Sequence, residues 1–247
     1  MQKFKNPLII ALDVNTMREA ELLVDTLAPY AGGFKVGMQL YNSEGPEVLR
    51  RLRDRKAPVF VDLKFHDIPN TVAGASRVLT RLGAAILNVH AAGGKDMMHA
   101  AVDAARDEAA RANIKSPLIV AVTVLTSISQ EVFNNQIGLP GSIEEHVVAW
   151  ALLAKEAGLD GVVASPREIA AIRKNCGQDF IIITPGVRPA GAAADDQKRT
   201  MTPGEAIGLG ATYLVVGRPV TAASDPIAAA RDILEEIGYL MINCEGD

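Results

Sequence analysis

A closed (β/α)8 barrel in a single domain is the fold this sequence predicts, and three observations predict it. Eight short apolar, β-branched runs recur along the 247 residues, Ala/Leu/Glu/Arg-rich stretches of helical periodicity separate them, and no linker or composition shift divides the chain. Strands that are apolar on both faces and alternate with helices build a parallel sheet covered by helices. Eight such units in ~250 residues favour closure into a barrel. An open doubly wound sheet would carry a glycine-rich turn after its first strand. Here that strand ends in Leu12-Asp13-Val14-Asn15, without glycine. One α/β domain spanning 1–247 is expected.

The elements follow in order. The first strand is expected at 8–12, ending at Asp13, with a helix at 18–27. The second, 34–38, carries Lys35 and precedes a helix at 46–55. The third, 59–63, runs into Asp62-Leu63-Lys64-Phe65-His66-Asp67 and a helix at 71–82. The fourth, 85–90, contains Asn88 and His90 and is followed by a helix at 97–112. Strands at 118–124, 161–164, 180–184 and 213–217 complete the eight. A long loop at 188–202 follows the seventh, where barrel enzymes often place a mobile, ligand-gripping segment.

Composition narrows the function. With 49% hydrophobic residues the chain can bury a substantial core, which excludes a disordered protein. Lys+Arg number 25 against 29 Asp+Glu, a formal net charge of −4, so no nucleic-acid partner is expected. Aromatics at 4% leave little for base-stacking platforms. Cys176 and Cys244 lack metal or disulfide spacing and point to a reducing, cytoplasmic setting. The N-terminal segment has no leader pattern, and the apolar run at 147–154 is far shorter than the ~20 residues of a membrane span, so no membrane partner is expected.

In such a barrel the active site lies at the C-terminal ends of the strands. Side chains alternate along a strand, so Asp62 and Lys64 share one face and Val61 and Leu63 the other. The apolar pair suits helix packing, which turns Asp62 and Lys64 into the barrel mouth. A charge there is costly unless paired. Asp62 and Asp67 are the local carboxylates for Lys64 and Lys35, and two lysines with two aspartates form an alternating, net-neutral array. Held in fixed positions, Lys64 is a candidate general acid or a stabiliser of a developing carbanion. A purely structural ion-pair network is the plainer reading. A Schiff-base lysine would need surroundings that discharge it, the opposite of flanking aspartates.

The loops after strands seven and eight commonly hold phosphate. Val216-Gly217-Arg218-Pro219-Val220-Thr221 fits: glycine permits close backbone approach, and Arg218 can fork onto two phosphate oxygens. Arg188 and Gln197, in and beside the long loop, are placed to close over the same group.

These segments resemble the orotidine 5′-phosphate decarboxylase family, in its bacterial branch. The resemblance covers essentially the whole chain. It is carried by Asp62-Leu63-Lys64-Phe65-His66-Asp67-Ile68-Pro69-Asn70-Thr71, with Asp13, Phe34-Lys35-Val36-Gly37, Asn88-Val89-His90-Ala91, Ala121 to Ser127, Thr184-Pro185-Gly186-Val187-Arg188-Pro189 and Val216 to Thr221 in the expected order. It implies cofactor-independent conversion of orotidine 5′-phosphate to UMP, with Lys64 donating a proton to the ring carbon that loses carbon dioxide. Asp62 and Asp67 would flank the departing carboxylate, and Lys35 would complete the charge chain. Asp13 and Lys35 would hold ribose hydroxyls and Thr126 would contact the pyrimidine. Gln197, Arg188, Gly217 and Arg218 would bind phosphate or close the loop. It also implies a homodimer in which Asp67, Ile68 and Thr71 reach the partner's site.

The nearest enzymatic rival is a sister barrel sharing Asp-x-Lys-x-x-Asp, a decarboxylase or synthase that uses Mg²⁺ on acyclic sugar phosphates; a non-catalytic nucleotide binder is a rival of another class. No His/Asp/Glu grouping has metal-ligand spacing, so neither metal nor cofactor is expected. His66, Asn88 and His90 are read as support behind the array, and His99, His146 and Trp150 as surface or packing residues. Ser127 and Ser165 lack a base at nucleophile spacing.

Overall fold

Eight parallel strands pair in chain order and close: β1 (Leu8–Ala11), β2 (Gly33–Gly37), β3 (Val59–Phe65), β4 (Ile86–His90), β5 (Leu118–Val122), β6 (Gly161–Val163), β7 (Ile181–Pro185) and β8 (Tyr213–Val216), with β8 returning to β1. This computed structural model describes residues 4–188 and 201–239. The expected (β/α)8 barrel is the observed architecture.

Alternation along the strands separates two cores. Ile9, Phe60, Ile86, Val120, Ile183 and Val215 fill the barrel interior, and Phe4 packs on Tyr213 with ring centroids 5.1 Å apart. Their neighbours Ile10, Phe34, Val61, Leu87 and Leu214 face outward and pack under the helices. The helices bury one stripe each: Met17–Leu27 turns in Ala20, Val24 and Leu27 and is started by a reciprocal cap between Thr16 and Glu19. Among the described residues no helix is long and apolar enough to cross a membrane.

The expected strands all form, with shifted ends. The fifth stops at Val122 rather than 124. A short helix, Met38–Glu44, precedes the expected helix of 46–55, which itself spans Glu47–Asp54. The informative difference is β3, which runs two residues past 63. Its register against β4 goes from Val61↔Leu87 to Phe65↔Val89, four steps on one strand against two on the other. Asp62, Leu63 and Lys64 therefore bulge opposite the single residue Asn88, and Lys64 takes a left-handed backbone at φ 52°.

Candidate active site

The inward faces of β1 to β3 deliver their polar residues to one end of the barrel. Lys35 lies on β2 between Gly33 and Gly37, paired across to Ala11 and Phe60, both interior positions. Gly37 leaves the room this needs: a Cβ there would lie 3.0 Å from Lys35 Nζ. Lys35 Nζ stands 3.0 Å from Asp13 Oδ1 and 3.4 Å from Asp62 Oδ2, and Lys64 Nζ donates to Asp62 Oδ1 at 2.7 Å. The order is Asp13–Lys35–Asp62–Lys64, alternating in sign.

Its membership differs from the sequence expectation. Asp13, not Asp67, supplies the second carboxylate within one chain. Asp67 follows the end of β3 in the exposed turn into the helix Pro69–Arg81, where its Oδ1 accepts from the Ile68 N–H at 2.6 Å. The pairing of Asp62 with Lys64 also arises through the bulge rather than through plain strand alternation.

Asp62 is the hub, with its side chain 13% exposed. Burial pushes its carboxyl up, but Lys35 and Lys64, with hydrogen bonds from Lys64 and Asn88, outweigh that and hold it below the ordinary value. Behind it, Asn88 donates to Asp62 Oδ1 at 2.7 Å and accepts from the Lys64 backbone N–H at 2.8 Å. His90 stacks near His66 at 5.5 Å; burial first, then the neighbouring His66 and Lys64, lower its pKa. Of the three, Asn88 bonds both Asp62 and Lys64, whereas His66 is exposed and meets His90 rather than the array.

Two cavities meet at Lys35, Pro185 and Val215. One, of about 210 Å³, is mainly apolar and is bounded by Lys64, Asp62, Phe60, Val122, Leu125 and Thr126. The other, of about 450 Å³, is polar and is bounded by Asp13, Gln39, Gly186, Arg188, Gly217 and Arg218. Gln39 was not foreseen; it sits one turn past Lys35 and donates to Asn15 Oδ1 at 2.8 Å. Gln197 and Cys244 lie outside the described residues. Asp67, Ile68 and Thr71 are exposed, Ile68 by 67%. His99 pairs with Asp103, and His146 packs between Phe133 and Trp150. Among the described residues no three His, Cys, Asp or Glu side chains are grouped to hold a metal ion.

Fold and site together define a (β/α)8-barrel protein with an internal lysine–aspartate array, an apolar slot on one side and an arginine-lined pocket on the other. A sequence model described as the orotidine 5′-phosphate decarboxylase / HUMPS family matches residues 6–233. Orotidine 5′-phosphate decarboxylase of Moorella thermoacetica is 59% identical over 233 residues, covering 94% of this chain and 92% of that protein. The enzyme of the same name from Heliobacterium modesticaldum is 54% identical over 233 residues, covering 94% and 96%. The crystal structure of orotidine 5′-phosphate decarboxylase from Lactobacillus acidophilus superposes with a TM-score of 0.84 at 38% identity, covering 94% and 99%. The chain belongs to the orotidine 5′-phosphate decarboxylase / HUMPS family.

Proposed function

We propose that this protein decarboxylates orotidine 5′-phosphate to UMP, with Lys64 as proton donor. The observation that carries this reading is the Asp13–Lys35–Asp62–Lys64 array standing where the apolar slot meets the arginine-lined pocket. A pyrimidine suits the slot, with Thr126 on its wall, and a ribose suits the junction at Asp13 and Lys35. A phosphate suits Arg188, Gly217 and Arg218, where a forked guanidinium matches phosphate oxygens.

The chemistry follows from that placement. The bond from the ring carbon to the carboxylate breaks, carbon dioxide leaves, and the electron pair remains in the ring plane, where the π-system cannot delocalise it. The Lys64 ammonium, fixed by Asp62, stabilises this charge and then transfers a proton to the same carbon. Asp62 beside the departing carboxylate favours its loss. Phosphate binding, remote from the reacting bond, supplies energy for ordering the site. No electron sink is required of a cofactor in this scheme.

A homodimer is part of the proposal, supported by the exposed Asp67, Ile68 and Thr71 in the turn and helix that follow β3. Cytoplasmic residence is supported by sparse cysteine usage. The test follows the absorbance change as orotidine 5′-phosphate becomes UMP, with and without EDTA, for the parent and Lys64→Ala. Turnover unaffected by chelator and reduced at least ~10³-fold by the substitution is expected. Activity confined to acyclic sugar phosphates with Mg²⁺ would overturn the reading, as would a Lys64→Ala enzyme near parental rate.

A further inference from the structure

The bulge in β3 creates a problem that one buried side chain solves. Asp62, Leu63 and Lys64 face Asn88 alone, so the Lys64 N–H has no regular ladder position opposite it. Its left-handed backbone, φ 52°, is one that a residue with a side chain holds only when the surroundings over-determine it. Asn88 Oδ1 accepts that N–H at 2.8 Å, while Asn88 Nδ2 donates at 2.7 Å to Asp62 Oδ1, the oxygen that also accepts from Lys64 Nζ. Asn88 is itself 1% exposed and held in the sheet against Val120 of β5.

The two partners also set the amide's orientation. A backbone N–H demands the carbonyl oxygen and a carboxylate demands the NH₂, so one rotamer satisfies both. One end of one side chain thus fixes the main chain of Lys64 and the carboxylate that holds its ammonium. We propose that Asn88 is a positioning residue for decarboxylation, setting the bulge from which Lys64 is aimed; this rests on the reading of Lys64 as proton donor. Aspartate at 88 would keep the acceptor but bring a second carboxyl against Asp62, which works only while the two share a proton. Like-charge proximity raises the pKa of such a pair, so the shared proton is present at low pH and lost as pH rises through the raised value.

The experiment compares Asn88→Asp, Asn88→Leu and Asn88→Ser with the parent and Lys64→Ala across the pH range in which the parent is stable, measuring kcat and KM for orotidine 5′-phosphate and the affinity for UMP. Asn88→Leu should lose about 10²-fold in kcat at every pH, with KM and UMP affinity within about threefold, because a misaimed donor costs rate rather than phosphate binding. Asn88→Asp should match that loss at high pH and recover as pH falls, a limb the parent lacks. Asn88→Ser, with one of the two bonds available, should fall between. A pH-independent Asn88→Asp defect, kcat near parental in all three, or a loss lying wholly in KM would overturn the proposal. Should Asn88→Leu not fold, the reversible pH profile of Asn88→Asp and the rate of Asn88→Ser decide alone. Lys64→Ala separates the two levels: a near-parental rate there removes the donor itself, whereas a dead Lys64→Ala beside unaffected Asn88 variants removes only the positioning role.

Discussion

Asp62 accepts from Lys64 and Asn88 on one oxygen and faces Lys35 with the other, so its charge is committed to the array. Its carboxyl is held below the ordinary value despite burial, because the two ammonium groups and the amide outweigh desolvation. A carboxyl whose folded-state pKa is depressed contributes stability above the unfolded value near ~4 and loses it as pH falls through the folded value. Asp62→Asn leaves two lysines against a neutral amide. At pH 7 it should be less stable than the parent by roughly 1–3 kcal/mol, the cost of removing one partner of a charged hydrogen bond. The gap should narrow as pH drops below ~4, where the unfolded parent takes up its proton first, and close once the folded carboxyl protonates at its lower value. Thermal unfolding of both proteins between pH 7 and pH 3 measures this. A gap that widens on acidification would show that burial, not the lysines, dominates the carboxyl.

Strands and helices were legible because their periods are local. Each strand shows as a short apolar, β-branched run, both of whose faces are buried, Ile9, Phe60 and Val215 inward and Ile10, Val61 and Leu214 outward. The bulge was not, since it depends on Asn88 of another strand closing a gap opened by Lys64. Nor was the array's fourth member: Asp67 is adjacent in sequence, whereas Asp13 becomes adjacent only when β1 pairs with β2. Close strand packing is another non-local property, and Gly161 of β6 depends on it. A Cβ there would lie 2.1 Å from Ile181 O and 2.7 Å from Ile181 C, main-chain atoms of β7 that no side-chain rotation can clear. Gly161→Ala should therefore destabilise by about 3 kcal/mol or more, the upper range for overpacking. Denaturant unfolding tests it, and a loss below ~1 kcal/mol would mean that β6 and β7 separate cheaply at that end.

At the scale of the whole molecule, one chain completes the array with Asp13 and leaves Asp67 outside it, exposed with Ile68 and Thr71. If the proposed homodimer carries Asp67 into its partner's site, as the family resemblance implies, twofold symmetry makes that exchange mutual. This arrangement has a consequence that no single-chain site shares. Lys64→Ala removes the donor from its own site, and Asp67→Ala removes the carboxylate from its partner's. Each variant alone should be nearly inactive. Mixed in equal amounts under conditions that exchange subunits, about half the dimers become mixed, and in each of these one site has both residues intact, so about a quarter of parental activity should return. Co-purification of one variant through an affinity tag carried only by the other establishes that exchange has taken place, and turnover of orotidine 5′-phosphate reads the result. If mixed dimers form and activity stays at the level of the separate variants, Asp67 serves its own chain and the shared site is wrong.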